Sequence, residues 1–206
     1  MAHMKKTIKA VAIELFFKKG YFATSISDIA GGCGIQKASI YHHFPAKEDI
    51  LFGIMQATMT DLMAELNKNL STEEDVECRM RAAVRSHVAF HLSRQQETFI
   101  ASSELRGLSK AHFSEIVALR DEYELTFQRL IEAGIDQGLF APDDVKILSY
   151  AILTLCTAGA TWYKPEGRLS VAQIVAIYEN FILNGLKKGQ PFTARPAELA
   201  CDPWPI

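Results

Sequence analysis

Apolar residues recur at intervals of three and four along almost the whole chain, and no alternating run is long enough to compete as a strand. That periodicity predicts an all-α protein with helices over Thr7–Lys19, Ser25–Gly31, Gln36–His42, Lys47–Asn69, Glu73–Leu92, Gln96–Leu108, His112–Gln137, Pro142–Tyr163 and Val171–Lys187. Breaks fall at Gly20, Gly32 to Gly34, Pro45, Gly138, Pro165 to Gly167 and Gly189. Glycine and proline end helices because one supplies a left-handed turn and the other withholds a backbone donor. Four of the seven prolines follow Gly189, which predicts an extended tail strapped to the surface.

One short segment departs from the ordinary amphipathic pattern. "IQKASIYHHF", Ile35 to Phe44, keeps Gln36, Lys37, Ser39, Tyr41 and His42 outside while Ile40 and Phe44 point inward. Together with the preceding "ISDIAGGCG" it fits a helix-turn-helix: Ala30 is small enough for two helices to cross, Gly34 permits a turn of positive φ, and Ile29, Ile35 and Ile40 form the interhelical core. Thr24 or Ser25 caps the first helix, with Asp28 in its first turn favoured by the positive helix end. The exposed residues of the second helix then suit the DNA major groove, where Lys, Gln and Ser reach base edges or phosphates. Tyr41, His42 and Lys47 add donors that fix register on a DNA backbone. From the residues alone, a helical hairpin with a solvated face stays open as the alternative.

A second segment, "ILSYAILTLCTAGATWY" from Ile147 to Tyr163, is apolar on nearly every side. It is short for a membrane span and contains Ser149, Thr154, Thr157 and Thr161, so no membrane association is expected. It reads instead as a helix buried on two faces, one toward its own core and one toward a partner subunit, with Ala158, Gly159 and Ala160 allowing close approach. The start, "MKKTIKAVAIELFFKKG", imitates a secretory signal, but Glu14 and the Lys18–Lys19 pair interrupt it and an amphipathic helix is expected. The residues before Met4 have the look of a cloning remnant.

With 206 residues, 49% hydrophobic and 22% charged, the chain can bury a substantial core. Cys33, Cys78, Cys156 and Cys201 lie far apart with no C-x-x-C pair, which predicts neither zinc knuckle nor disulfide framework and fits a reducing cytoplasm. The overall net charge of −2 conceals a gradient: residues 1–50 carry seven lysines against four acids, a net of +3, which leaves −5 for the remainder. A basic end on an acidic body suits a polyanion partner at that end. No nucleophile elbow, phosphate loop or metal cluster is present, so no catalytic residue, no cofactor and no enzymatic activity are expected. His87 and His91 stand at i and i+4, a spacing that can grip a metal, but no nearby carboxylate or cysteine completes a site and they are expected to be core or pocket histidines.

The stretch "GYFATSISDIAGGCGIQKASIYHHFPAKEDIL", Gly20 to Leu51, resembles the signature of the TetR family of bacterial transcriptional repressors, departing only at Gly31 and Cys33, where other small residues such as alanine are usual. The resemblance implies a helix-turn-helix DNA-binding domain over residues 4–50, a helical ligand-binding and dimerisation domain over 51–188, and a tail over 189–206. It implies that Gln36, Lys37, Ser39, Tyr41 and His42 sit on the recognition helix and that Thr24 and Lys47 touch phosphates of a double-stranded operator. Family members bind DNA as two-fold dimers through their last two helices. Leu148, Ile152, Leu155, Gly159 and Trp162 on one helix, and Ile174, Ile177, Tyr178, Phe181 and Ile182 on the other, are the homodimer candidates.

Helix His112–Gln137 carries Arg120 on the same stripe as Phe113, Ile116, Tyr123, Phe127 and Leu130. A guanidinium there is costly to bury unless paired, so either an acid such as Glu104 or an anionic ligand should meet it. The blocks "ELRGLSKAHFSEIVALRDEYELTFQRLIEAGIDQGLF" and "TWYKPEGRLS" resemble the acyl-CoA-responsive branch of the family, regulators of fatty-acid and steroid breakdown. That resemblance implies a small-molecule inducer, an acyl-CoA thioester. Phe90, Phe99, Tyr123, Phe127 and Trp162 would line its acyl cavity, and Arg106, Arg120, Lys164 and Arg168 would meet its phosphates. The alternative ligand is a hydrophobic, drug-like molecule controlling an efflux or stress gene.

Overall fold

A computed structural model describes residues 2–187, and the Pro-rich tail expected over 189–206 lies outside the described residues. Among the described residues ten α-helices follow one another: α1 Ala2–Lys19, α2 Ile26–Cys33, α3 Lys37–Tyr41, α4 Lys47–Leu70, α5 Val76–Ser93, α6 Gln95–Ser103, α7 Lys110–Asp136, α8 Val145–Thr157, α9 Gly159–Trp162 and α10 Val171–Leu186. A 3₁₀ turn at Leu105–Gly107 links α6 to α7. Among the described residues the only β-type pairing is an isolated bridge between Phe140 and Lys187.

Local chemistry explains half of these helix starts. Ser25, Asp75, Ser109, Asp144 and Ser170 cap α2, α5, α7, α8 and α10 by accepting a backbone N–H from the third helical residue. Several expected boundaries moved, among them the starts of α1, at Ala2 rather than Thr7, and of α5, at Val76 rather than Glu73. The segment expected as Gln96–Leu108 ends as α-helix at Ser103 and tightens into the 3₁₀ turn. The segment expected over Pro142–Tyr163 begins only at Val145, after its Asp144 cap, and is interrupted at Ala158. Helix α2 runs through Gly31 and Gly32 and stops at Gly34, whose φ of 65° provides the left-handed turn.

Two clusters of buried side chains organise these helices. Ile8, Phe16, Ile29, Ile40 and Phe44 pack with Ile50, Leu51, Ile54 and Met55 in the basic end, joined by Ile100 of α6 and Ile116 of α7. The larger cluster gathers Met59, Leu62, Leu66 and Leu70 with Met80, Val84, Val88, Phe127, Ile131, Ile152 and Leu183. Helix α4 therefore belongs to both, its first half to one cluster and its second half to the other. Gly107 lies where the halves meet: a Cβ there would sit 2.6 Å from the Tyr21 ring and 2.9 Å from Leu51, so only glycine fits without repacking.

Candidate functional site

The basic end presents its second short helix outward. Gly34 closes α2, the Ile35 N–H donates to the Ala30 carbonyl at 3.0 Å, and Ile40 is wholly buried, so the rotation of α3 about its axis is fixed. Gln36, Lys37, Tyr41 and His42 are exposed and Ser39 is half-buried. Asp28 accepts from the Ser25 N–H and hydroxyl, both at 2.8 Å, and these bonds hold its carboxyl below the usual range.

Thr24 and Lys47, expected at phosphates, both have partners within the chain. Thr24 is 1% exposed, with its hydroxyl donating to the Gly20 carbonyl at 2.9 Å. Lys47 Nζ donates to the carbonyls of Tyr21 and Thr24, each at 2.8 Å, and lies 4.2 Å from the centroid of the Tyr21 ring. Both groups are engaged in fixing the α1–α2 turn.

That turn is also tied to the larger half. Glu104, the C-terminal cap of α6, accepts from the Tyr21 N–H at 3.2 Å. Glu48, in the first turn of α4, accepts from the Ser109 N–H at 2.6 Å and pairs with His112 Nδ1 at 2.8 Å, and the His112 ring stacks on Phe52 at 3.9 Å. Glu104 is therefore not the partner of Arg120.

A cavity of about 510 Å³ lies between α4, α5, α6, α7 and α8. Met59, Leu62 and Leu153 form apolar wall, and Thr58, His87, His91, Thr98, Ser102, Arg120, Tyr123, Tyr150, Thr154 and Thr157 bring polar groups to it, together with Glu124, whose carboxylate accepts from Gln128 and Ser149. Arg120 donates through Nη2 to the Ala101 carbonyl at 2.5 Å, and burial lowers the pKa of the guanidinium. His87 bridges two hydroxyls, Nδ1 to Tyr123 at 3.0 Å and Nε2 to Thr157 at 3.1 Å. His91 Nδ1 sits 2.8 Å from the His87 carbonyl, and the two imidazoles stack at 4.0 Å. Burial holds both rings neutral: the His87 pKa falls well below its usual value and that of His91 falls to about 4.

Of the residues expected to line a ligand cavity, Arg120 and Tyr123 do. Phe127 is fully buried behind the wall with its ring edge-on to His87, Phe90 belongs to the core beneath the Arg94 guanidinium, and Phe99 packs against Phe17 of α1. Arg106 is exposed on the 3₁₀ turn. Trp162, Lys164 and Arg168 line a different cleft of about 380 Å³ with Ile177 and Tyr178. Sequence reasoning left His87 and His91 open between core and pocket, and it missed Thr157 and Leu62 as cavity residues; the i, i+4 histidine pair was the visible signal.

Helices α8 and α10 leave an apolar face uncovered. The window Val145–Trp162 has a mean hydropathy of 1.3, long and apolar enough to cross a membrane by composition, yet only 28% of it is buried within the chain. Phe181 is 68% exposed and Ile177 54%, and Ile147, Tyr150, Leu155 and Trp162 are also open. The candidates Ile152, Ile174 and Ile182 are corrected: they face the chain's own core. Gly159 is buried too, and a Cβ there would sit 3.1 Å from Leu92. Leu148 and Tyr178 are half-buried against the same core.

Two family profiles cover most of this architecture, one for bacterial regulatory proteins of the tetR family over residues 8–54 and one for the tetracyclin repressor-like C-terminal domain over residues 73–186. The chain belongs to the TetR family. As a TetR-family protein it is a transcriptional regulator rather than an enzyme. It is 26% identical over 178 residues to the HTH-type transcriptional repressor KstR2 of Rhodococcus jostii, spanning 85% of this chain and 87% of that protein. The TetR-family regulator PfmR of Thermus thermophilus superposes with a TM-score of 0.81 at 30% identity, covering 88% of this chain and 99% of that one. AibR, solved in complex with isovaleryl coenzyme A and operator DNA, superposes with a TM-score of 0.80 at 27% identity, covering 86% and 96%.

Proposed function

We propose that this TetR-family chain is a repressor that binds a palindromic operator as a homodimer and is released by an acyl-CoA thioester of lipid or related catabolism. Gln36, Lys37, Ser39, Tyr41 and His42 are the residues offered to the DNA, since α3 carries them on its open side. Two recognition helices can read two half-sites of a palindrome only if the subunits pair, and the uncovered face of Phe181, Ile177 and Leu155 supplies the surface.

The observation that carries the ligand reading is Arg120. Among the described residues no carboxylate pairs with it, and its one bond is to a backbone carbonyl inside a largely carbon-walled cavity. A cation so placed favours an acidic or carbonyl-bearing ligand over a cationic drug. The isovaleryl coenzyme A of the AibR complex supports the same class. The Arg106, Lys164 and Arg168 side chains are exposed and remain the candidates for its phosphates.

The test is a thermal-shift panel of acyl-CoA thioesters, free coenzyme A, fatty acids and cationic amphiphiles on the purified protein. Stabilisation by thioesters alone supports the reading. Stabilisation by cationic amphiphiles alone replaces it with a drug-responsive repressor.

A further inference from the structure

The polar atoms around the cavity do not match a plain hydrocarbon chain. His91 Nδ1 faces the His87 carbonyl at 2.8 Å, and a carbonyl only accepts, so the ring proton is on Nδ1 and Nε2 carries a lone pair. With its pKa lowered to about 4, the ring keeps that form at neutral pH. Nε2 has no hydrogen-bond partner among the described residues, and His91 lines the cavity. It is an acceptor with nothing donating to it.

Donors stand around the same space. The Nε and Nη1 donors of Arg120 have no partner among the described residues. The chain Tyr123–His87–Thr157 holds one more. If Tyr123 donates to His87 Nδ1, then Nε2–H donates to Thr157 and the Thr157 hydrogen is left over; if the ring is the other tautomer, the Tyr123 hydrogen is left over. Either way, one hydroxyl hydrogen is available in the cavity that also holds the unfilled acceptor.

We infer that the ligand of this cavity carries a hydroxyl group on the part it buries, donating to His91 Nε2 and accepting from Arg120 or from the spare hydroxyl of Thr157 or Tyr123. The inference rests on the proposed inducer reading and narrows it from acyl-CoA thioesters to hydroxyacyl thioesters. A methylene at that place displaces the water that reaches His91 Nε2 and the donors and gives them no partner in return. A ketone uses the donors but not Nε2, and a carboxylate sets its charge against the Nε2 lone pair. The hydroxyl alone is both donor and acceptor.

The experiment is isothermal titration of the full chain with medium-chain acyl-CoA thioesters, each compared with its isomers bearing one hydroxyl at successive positions. One isomer should bind about ten-fold or more tightly than the unsubstituted thioester, the worth of a satisfied buried hydrogen bond. His91→Phe, which keeps a flat ring and removes the acceptor, should bring the two affinities together, and His91→Gln, which restores an acceptor, should recover part of the preference. If the variants fail to fold, the wild-type comparison decides alone. Equal affinity across all hydroxyl positions overturns the hydroxyl inference and leaves the thioester reading intact. Binding of no thioester at all overturns both.

Discussion

Arg120 donates to the Ala101 carbonyl at 2.5 Å, linking the ligand cavity to the helix whose C-terminal cap reaches the DNA-binding end. One turn beyond Ala101, Glu104 accepts the Tyr21 N–H, and Lys47 holds the Tyr21 and Thr24 carbonyls just before the cap of α2. The proposed ligand, on engaging Arg120, would act on α6, whose Glu104 cap accepts from the turn that precedes α2 and α3. The coupling needed to release DNA is ~1–3 kcal/mol of differential ligand affinity between two states.

Arg120→Ala should leave operator affinity within about three-fold of wild type and weaken the ligand response roughly ten-fold or more, the worth of a charge-assisted bond in a desolvated site. Titrating operator-bound protein with ligand measures both. Loss of operator binding in the variant would mean that the Ala101 bond is structural.

Lys37 and Lys47 should behave as opposites. Lys37→Ala removes an exposed charge, so it should lower operator affinity, reduce the salt slope by about one and leave the melting temperature unchanged. Lys47→Met removes two bonds to carbonyls and a cation over the Tyr21 ring, so it should cost about 2 kcal/mol and lower the melting temperature by roughly 4 to 8 °C. A stable Lys47→Met protein with a reduced salt slope would restore Lys47 to the phosphates.

Phe181→Glu places a carboxylate at the most exposed large apolar position of the uncovered α8–α10 face. Light scattering should give twice 23.0 kDa for the wild type and 23.0 kDa for the variant. A wild-type monomer at micromolar concentration would refute the dimer.

Stability should fall on acidification below pH 6.5. His87 and His91 are neutral in the folded chain and protonate freely once unfolded, so the unfolded state binds more protons as pH drops and stability is lost, about 2 kcal/mol by pH 5 from His91, with His87 acting in the same direction. For His91 the loss levels off near pH 4, where the folded ring also takes a proton. Urea titrations at pH 7.5 and 5 measure it, and His91→Gln should show a shallower decline.

The helices and the helix-turn-helix were legible because each depends on local signals: the spacing of Ile29, Ile35 and Ile40, the glycine at 34 and the cap at Ser25. Partner choice was not. Arg120 lies on the stripe that the periodicity indicated, but nothing in the sequence says that Glu104 turns to Tyr21 and leaves the guanidinium to a carbonyl. The aromatic residues expected around a ligand mostly became core, since Phe90 and Phe127 gain more from full burial than from a cavity wall. In the same way, spacing put Ile152 and Leu155 on one helix without saying which faces inward and which is left for a second subunit.

The central claim is tested most directly by fluorescence anisotropy on the DNA upstream of this protein's own gene, across a salt series, with and without a mixture of acyl-CoA thioesters. The account expects tight, salt-sensitive binding that the mixture releases. Binding with no preference over unrelated DNA would contradict the recognition-helix assignment, and tight binding that no thioester disturbs would contradict the proposed inducer.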